Sequence, residues 1–222
     1  MPIIYAATTD GGVRSPLDTV WDNVHDAADG TFAVPTVANT IRYCPFVVFN
    51  GTQYRIYRTF FAFDTSGISV APSSATFNFK SNTYANGDII IVKATAPDTS
   101  TNVVKEDYNA LTGWQSGFNN SHLTAYAAKI SGGGFVSQYH SFTLNSTALS
   151  DMASASTFSL CLMNYDHDYL DSAPTSTSTT AQRFGVFFAD NTGTSSDPYI
   201  EYVAGGFAHQ VSGVASANIG EV

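Results

Sequence analysis

One stretch decides the fold class of this chain: Gln53-Tyr54-Arg55-Ile56-Tyr57-Arg58-Thr59-Phe60-Phe61-Ala62-Phe63. Its large side chains alternate with period two, which is the repeat of a β-strand and not of a helix. One face carries Tyr57, Thr59, Phe61 and Phe63, and the other carries Tyr54, Ile56, Phe60 and Ala62. Because apolar groups occupy both faces, we expect a central strand that is buried on both sides.

The same alternation continues on either side of this strand. Residues 75–80 place Ala75, Phe77 and Phe79 on one face and Thr76, Asn78 and Lys80 on the other. Asn86-Gly87-Asp88 consists of residues that favour turns, so we predict a turn there, just before the next predicted strand. Further strands are predicted at residues 89–93, 136–144, 158–163, 184–189 and 199–203, and from less regular patterns at 3–8, 11–15, 21–27, 32–34 and 41–49.

Helical patterns are few. Residues 105–112 and 146–153 predict one or two turns each, with Ser146 as the cap of the second. About ten strands separated by turn residues predict an all-β fold, a jelly-roll-like antiparallel β-sandwich with a few short helical turns. No charge run or flexible spacer interrupts this pattern, so we expect residues 1–204 to form a single β-sandwich domain.

The C-terminal stretch, residues 205–222, has a different composition. It begins with two glycines and is rich in small residues. Its apolar side chains are widely spaced: Phe207, Val211, Val214, Ile219 and Val222. Two interpretations remain open, an extra edge strand or loose tail, and an extended arm that docks on a partner protein.

Composition argues against two classes of partner. Charged residues make up 12% of the chain, the net charge is −9, and the nine basic residues are scattered. Nucleic-acid binding needs a concentrated basic footprint, so we expect none. The apolar runs are of strand length and too short to span a bilayer. The first residues lack the basic and apolar regions of a signal peptide, so we expect synthesis in a cytoplasm.

Motifs for catalysis or cofactor binding are missing. The chain has three glutamates, Glu106, Glu201 and Glu221, and the last two fall in the final predicted strand and the tail. Gly113-Trp114-Gln115-Ser116-Gly117 does not have the spacing of a nucleophile elbow. No phosphate-binding loop, dinucleotide fingerprint or zinc pattern occurs. We therefore expect a protein that is not an enzyme and has no cofactor.

The densest polar cluster is Asp166-His167-Asp168-Tyr169-Leu170-Asp171. Its three carboxylates, Asp166, Asp168 and Asp171, are oxygen ligands of the kind that Ca²⁺ prefers. The spacing is not that of an EF-hand, and a solvated turn has the same composition. Calcium binding and a plain turn are therefore the two hypotheses for this loop.

Two other residue types have alternative interpretations. Trp21, Trp114, Tyr126 and Tyr169 are the loop aromatics that would stack on sugar rings if exposed, or fill the core if buried. Cys44 and Cys161 both fall in predicted strands. They are expected to be buried thiols, or a disulfide if their strands are neighbours.

Two stretches carry a family resemblance. The first is Tyr54-Arg55-Ile56-Tyr57-Arg58-Thr59-Phe60-Phe61-Ala62-Phe63-Asp64-Thr65-Ser66-Gly67-Ile68, followed by Ala75-Thr76-Phe77. The second is Phe184-Gly185-Val186-Phe187-Phe188 with Asp197-Pro198-Tyr199-Ile200-Glu201-Tyr202. Together they resemble the opening and closing strands of DNRLRE-type jelly-roll domains. The charged signature that gives that family its name is not evident, so no site residue can be carried over.

The whole chain resembles small virion proteins of tailed bacteriophages. The similarity lies in Ile4-Tyr5-Ala6-Ala7-Thr8-Thr9-Asp10-Gly11 with Trp21 and Ala27-Ala28-Asp29-Gly30, and in Val211-Ser212-Gly213-Val214-Ala215-Ser216-Ala217-Asn218-Ile219-Gly220-Glu221-Val222. It implies a virion structural protein, foremost a capsid decoration or cement protein, whose partners are other virion proteins or copies of itself. The alternative is a carbohydrate- or receptor-binding module of a tail or fibre.

Overall fold

The computed structural model describes residues 1–35, 46–117, 122–133, 138–175, 182–189 and 193–206. Eleven strands lie in this part of the chain: β1 Ile3–Tyr5, β2 Gly11–Arg14, β3 Phe32–Pro35, β4 Phe46–Phe49, β5 Tyr54–Asp64, β6 Ser74–Lys93, β7 Ile130–Gly133, β8 Tyr139–Thr143, β9 Thr157–Asn164, β10 Gln182–Val186 and β11 Tyr199–Val203. Two α-helices accompany them, α1 Trp21–His25 and α2 Ser146–Ser154, with a 3-10 turn at Lys105–Asn109 and a π turn at Tyr165–Tyr169. Among the described helices, none is long and apolar enough to cross a membrane.

All strand pairs are antiparallel, and they form two packed sheets. The first sheet runs β1, β11, the first part of β6, then β8. The second runs β3, β2, β5, β9, the last part of β6, then β7. Strand β4 pairs with the beginning of β5, and β10 bridges β4 and the middle of β6. This confirms the predicted antiparallel β-sandwich.

Strand β6 corrects one prediction. Asn86-Gly87-Asp88 is not a turn, because β6 continues through it and pairs with β7. Gly87 has a φ of 90°, which glycine adopts without steric cost. The glycine therefore lies within a long strand that passes from the first sheet to the second.

The core between the two sheets is aromatic, as the alternation predicted. Phe77 of β6 is fully buried, with its ring centroid 5.4 Å from Phe61 and 5.8 Å from Phe63 on β5. Phe142 of the neighbouring strand β8 stacks on Phe77, with 6.3 Å between ring centroids. Burying one such side chain contributes roughly 1.5–3 kcal/mol. These paired phenylalanines hold the two sheets together.

The outer face of the second sheet is also buried, beneath a layer of helical turns and loops. Ile56 and Phe60 of β5 are fully buried there, on the face opposite Phe61 and Phe63. Strand β5 has β2 along one edge and β4 followed by β9 along the other. The prediction that this strand is central and buried on both faces is confirmed.

Two predictions about helices need correction. Residues 21–27 were expected to form a strand, but α1 forms there and buries Trp21, Val24 and His25. These positions recur at the i, i+3, i+4 spacing of one helix face. Helix α2 forms where expected, but Asn145 and not Ser146 caps it, with its side chain accepting the N–H of Ala148 at 3.0 Å.

Candidate binding surface

The three aspartates proposed as calcium ligands lie in different surroundings. Asp168 is fully buried and accepts hydrogen bonds from Arg58 of β5, at 2.8 Å from Nη2 and 3.1 Å from Nε. Asp171 accepts the indole N–H of Trp21 at 2.8 Å. Asp166 lies near the backbone N–H of Asp88, 3.4 Å away. Within the described residues, no group of three such side chains is arranged to hold a metal ion.

Arg58 is the residue that the sequence analysis missed. Its guanidinium is held between the rings of Tyr108 and Trp114, 4.1 Å and 4.2 Å from their centroids. Its Nη1 also donates to the backbone oxygen of Tyr108 at 2.9 Å and to the Asn109 side chain at 2.7 Å. Burial alone would lower the pKa of this guanidinium, but the Asp168 carboxylate, together with Tyr108 and Cys161, more than offsets it and raises the pKa above its ordinary value.

His25 extends this buried network. Its Nδ1 lies 2.7 Å from the Asp26 carboxylate, and its Nε2 lies 2.9 Å from the backbone oxygen of Asp168. The imidazole stacks on Trp21 with 5.4 Å between ring centroids. Arg58, His25 and Asp168 have no exposed surface, so they cannot contact a ligand in this conformation. The network instead fastens α1, the 3-10 turn and the π turn to the second sheet.

The loop aromatics proposed to stack on sugars belong largely to the core. Trp21 is 7% exposed and Tyr126 is 1% exposed. Trp114 covers Arg58, and Tyr169 stacks on Tyr165 with 5.4 Å between centroids. Both are only partly buried. Of the two interpretations, core packing therefore holds for Trp21 and Tyr126.

Exposed aromatic rings lie instead on the outer face of the first sheet. Tyr5 of β1, Tyr199 of β11 and Tyr139 of β8 form a row across it, and we call this row the tyrosine surface. The centroid of Tyr199 is 6.1 Å from that of Tyr5 and 5.4 Å from that of Tyr139. Tyr5 is 42% exposed and Tyr139 is 38% exposed. The row therefore presents aromatic area to solvent from three of the four strands.

Strand register explains the row. Tyr5 pairs with Tyr199 and Tyr199 pairs with Asn78 of β6. Tyr139 comes from the next strand, where it pairs with Lys80, so its ring must reach across β6 to meet Tyr199. Asn78, between them, is only 6% exposed. The hydroxyl of Tyr139 donates to the backbone oxygen of Ser195 at 3.2 Å, which holds the ring in place.

The surroundings of the tyrosine surface are mixed and weakly charged, because the exposed apolar side chains of Ile3 and Val203 lie on the same face as polar ones. Strand pairing places the following residues on the same face: Thr76, Asn78, Lys80, Ser141, Thr143 and Glu201. Lys80 and Glu201 carry opposite charges, so the face is close to neutral on a chain whose net charge is −9. Burial raises the pKa of Tyr139 and of Tyr199 further above the ordinary value of 10.0.

Two other predicted features lie outside the described residues. The arm residues Phe207, Val211, Val214, Ile219 and Val222 follow the last described position, Gly206. Cys44 lies in the undescribed segment before β4, while Cys161 is buried in β9. The docking-arm hypothesis and the pairing of the two cysteines therefore stay predictions.

The sequence carried a partial signal for the tyrosine surface. Alternation that turns His140 and Phe142 inward must turn Tyr139 outward, and the same rule turns Tyr199 away from Ile200. The alternation does not tell which strands are neighbours.

No family model matches the chain, and no curated protein matches it.

Proposed function

We propose that this chain is a non-catalytic structural component of a virus particle, foremost a capsid decoration protein, and that it attaches through the tyrosine surface. The observation that carries the proposal is the row of exposed tyrosines on a nearly neutral sheet face. Tyrosine is enriched at protein interfaces, whereas charged residues are depleted at their centres. The rigid sandwich behind the row limits the ordering cost of association.

The assignment to a virion rests on the sequence resemblance to phage structural proteins. Low charge combined with many hydroxyl and aromatic side chains also suits a protein that works outside cells. Virion proteins assemble in the host cytoplasm and reach the outside when the cell lyses, which fits such a composition. The partners proposed are other virion proteins and further copies of this chain.

Mass spectrometry of purified particles tests the location. We expect peptides of this chain in particles of the virus whose genome encodes it. Many copies per particle indicate the capsid, and few copies indicate the tail. Complete absence from particles, with the protein present in the infected cell, would contradict the proposal.

The tyrosine surface also favours a second candidate, a carbohydrate-binding module on a tail or fibre. Aromatic rings stack against the C–H faces of sugar rings, and neighbouring hydroxyl and amide groups exchange hydrogen bonds with sugar hydroxyls. Tyr5 and Tyr139 supply the rings, and the exposed hydroxyls of Ser141 and Thr143 lie on the same face. A glycan array separates the candidates: binding that is lost in Tyr139→Ala supports this module, and an array without binding excludes the glycans tested.

A further inference from the structure

A groove at one end of the sandwich, away from the tyrosine surface, has the features of a small-molecule site. It lies between the end of α2, the beginning of β9 and the loop that follows β6, and its volume is about 350 Å³. Ligand sites in proteins usually begin near this size. Its polar lining includes Lys93, Asp98, Tyr126, Asp151 and Ser154.

Three of these side chains form one fixed hydrogen-bonded group. The carboxylate oxygen Oδ2 of Asp151 accepts the Tyr126 hydroxyl at 2.8 Å and the Lys93 ammonium at 2.9 Å. The Tyr126 ring is itself held by stacking on Phe158, with 4.8 Å between centroids. Lys93 and Asp151 remain 35% and 23% exposed, so a molecule in the groove can reach both.

The chemistry of this group indicates the kind of ligand. An ammonium with three donors stands beside a carboxylate with a second acceptor, Oδ1. A hydroxyl both donates and accepts, so two adjacent hydroxyls of one molecule match the pair. Lys93 and Asp151 cancel in charge while Asp98 adds a negative charge at the rim, which disfavours anions. Ala94, Pro97 and Ala155 give the groove an apolar side that suits C–H groups.

We propose that this groove binds a neutral polyhydroxylated molecule the size of one sugar ring, through Lys93 and Asp151 with Tyr126 holding the carboxylate. The inference does not depend on the tyrosine surface, which lies on the outer face of the first sheet. It gives a ligand class to the groove, which plays no part in the proposed attachment to a virus particle.

Two-dimensional NMR of the full chain, titrated separately with glucose, galactose, mannose and N-acetylglucosamine, tests the proposal. At least one sugar should give saturable shifts of the Lys93, Thr95 and Ser154 amides, with a Kd on the order of 1 mM. Inorganic phosphate and ethylamine serve as charged probes. No saturable shift with any of the four sugars, or stronger binding of either charged probe, would overturn the proposal.

Variants locate the binding. Ser154→Arg places a long side chain in the groove from an exposed position at the end of α2, so the fold should persist while sugar binding is lost. Asp151→Asn should weaken binding about tenfold, because the carboxylate becomes a weaker acceptor. Thr143→Arg, on the face of the tyrosine surface, is the matched control and should bind as the wild type does. Sugar shifts that persist in Ser154→Arg or vanish in Thr143→Arg would place the binding elsewhere and overturn the assignment.

Discussion

Arg58 and Asp168, 110 positions apart in the chain, form a two-point ion pair from which solvent is excluded. Bidentate pairing gives geometric specificity as well as energy, so the π turn that carries Asp168 can dock on β5 in one way only. The rings of Tyr108 and Trp114 close the guanidinium from both sides. The pair thus fixes the position of the π turn and its neighbouring helical turns on the outer face of the second sheet.

Removing one partner of this pair should destabilise the protein severely. Arg58→Met removes the guanidinium that pairs with the buried Asp168 carboxylate, and we expect a loss of about 3–5 kcal/mol in the free energy of unfolding. Urea denaturation followed by circular dichroism measures it. The double variant Arg58→Met with Asp168→Leu should lose less than the sum of the single variants, since no charge is left uncompensated. Additive losses would show that the pair is not coupled.

The aromatic core should respond to truncation of Phe77. Phe77→Ala removes a fully buried ring from between Phe61, Phe63 and Phe142, and should cost about 3–5 kcal/mol. Phe32→Ala is the control, because that ring is 53% exposed on β3, and it should change stability by no more than about 0.5 kcal/mol. Equal effects in thermal denaturation would contradict the assigned packing.

The cap of α2 can be tested by two neighbouring substitutions. Asn145→Ala removes the side chain that accepts the Ala148 N–H, and should cost about 0.5–2 kcal/mol. Ser146→Ala, one residue later, should cost no more than about 0.5 kcal/mol. Denaturant unfolding distinguishes them. A larger loss of unfolding free energy for Ser146→Ala than for Asn145→Ala would contradict the assignment of Asn145 as the N-cap.

Buried tyrosines predict a loss of stability at alkaline pH. Burial raises the pKa of Tyr108 and of Tyr126 above the ordinary value of 10.0. The folded state therefore favours the neutral phenol, and this contribution is complete below pH 10 and lost as the pH rises above it. Phenolate absorbance from these side chains should appear together with unfolding. Tyr108→Phe should show a smaller alkaline loss, although it also loses the hydrogen bond to Val24. Ionisation of all twelve tyrosines in the folded state would contradict this account.

The period-two pattern of apolar residues predicted the sandwich, because successive side chains of an extended backbone point to opposite faces. Phe77 and Phe79 had to face one way once their segment was extended, and both are buried in the core. The same reasoning failed at α1, where five residues are too few for helical periodicity to stand out. It failed at Gly87 because a glycine that permits a turn equally permits an irregular strand.

The long-range relationships could not be predicted from local pattern. Arg58 interrupts the apolar face of Ile56 and Phe60, and this interruption was the one sign that a buried partner was needed. Nothing near it in the sequence identified Asp168. The tyrosine surface likewise depends on which strands are neighbours, because Tyr5, Tyr139 and Tyr199 come from both ends and the middle of the chain.

Co-sedimentation of the purified protein with virus particles that lack it tests the central claim, attachment through the tyrosine surface, most directly. The wild type should sediment with the particles, and the variant Tyr5→Ser with Tyr139→Ser should bind at least about tenfold more weakly, a change of roughly 1.4 kcal/mol, while its thermal stability stays within about 1 kcal/mol. The exposed control Phe32→Ser should bind as the wild type does. Failure of the wild type to sediment, or equal binding by the folded double variant, would contradict the account.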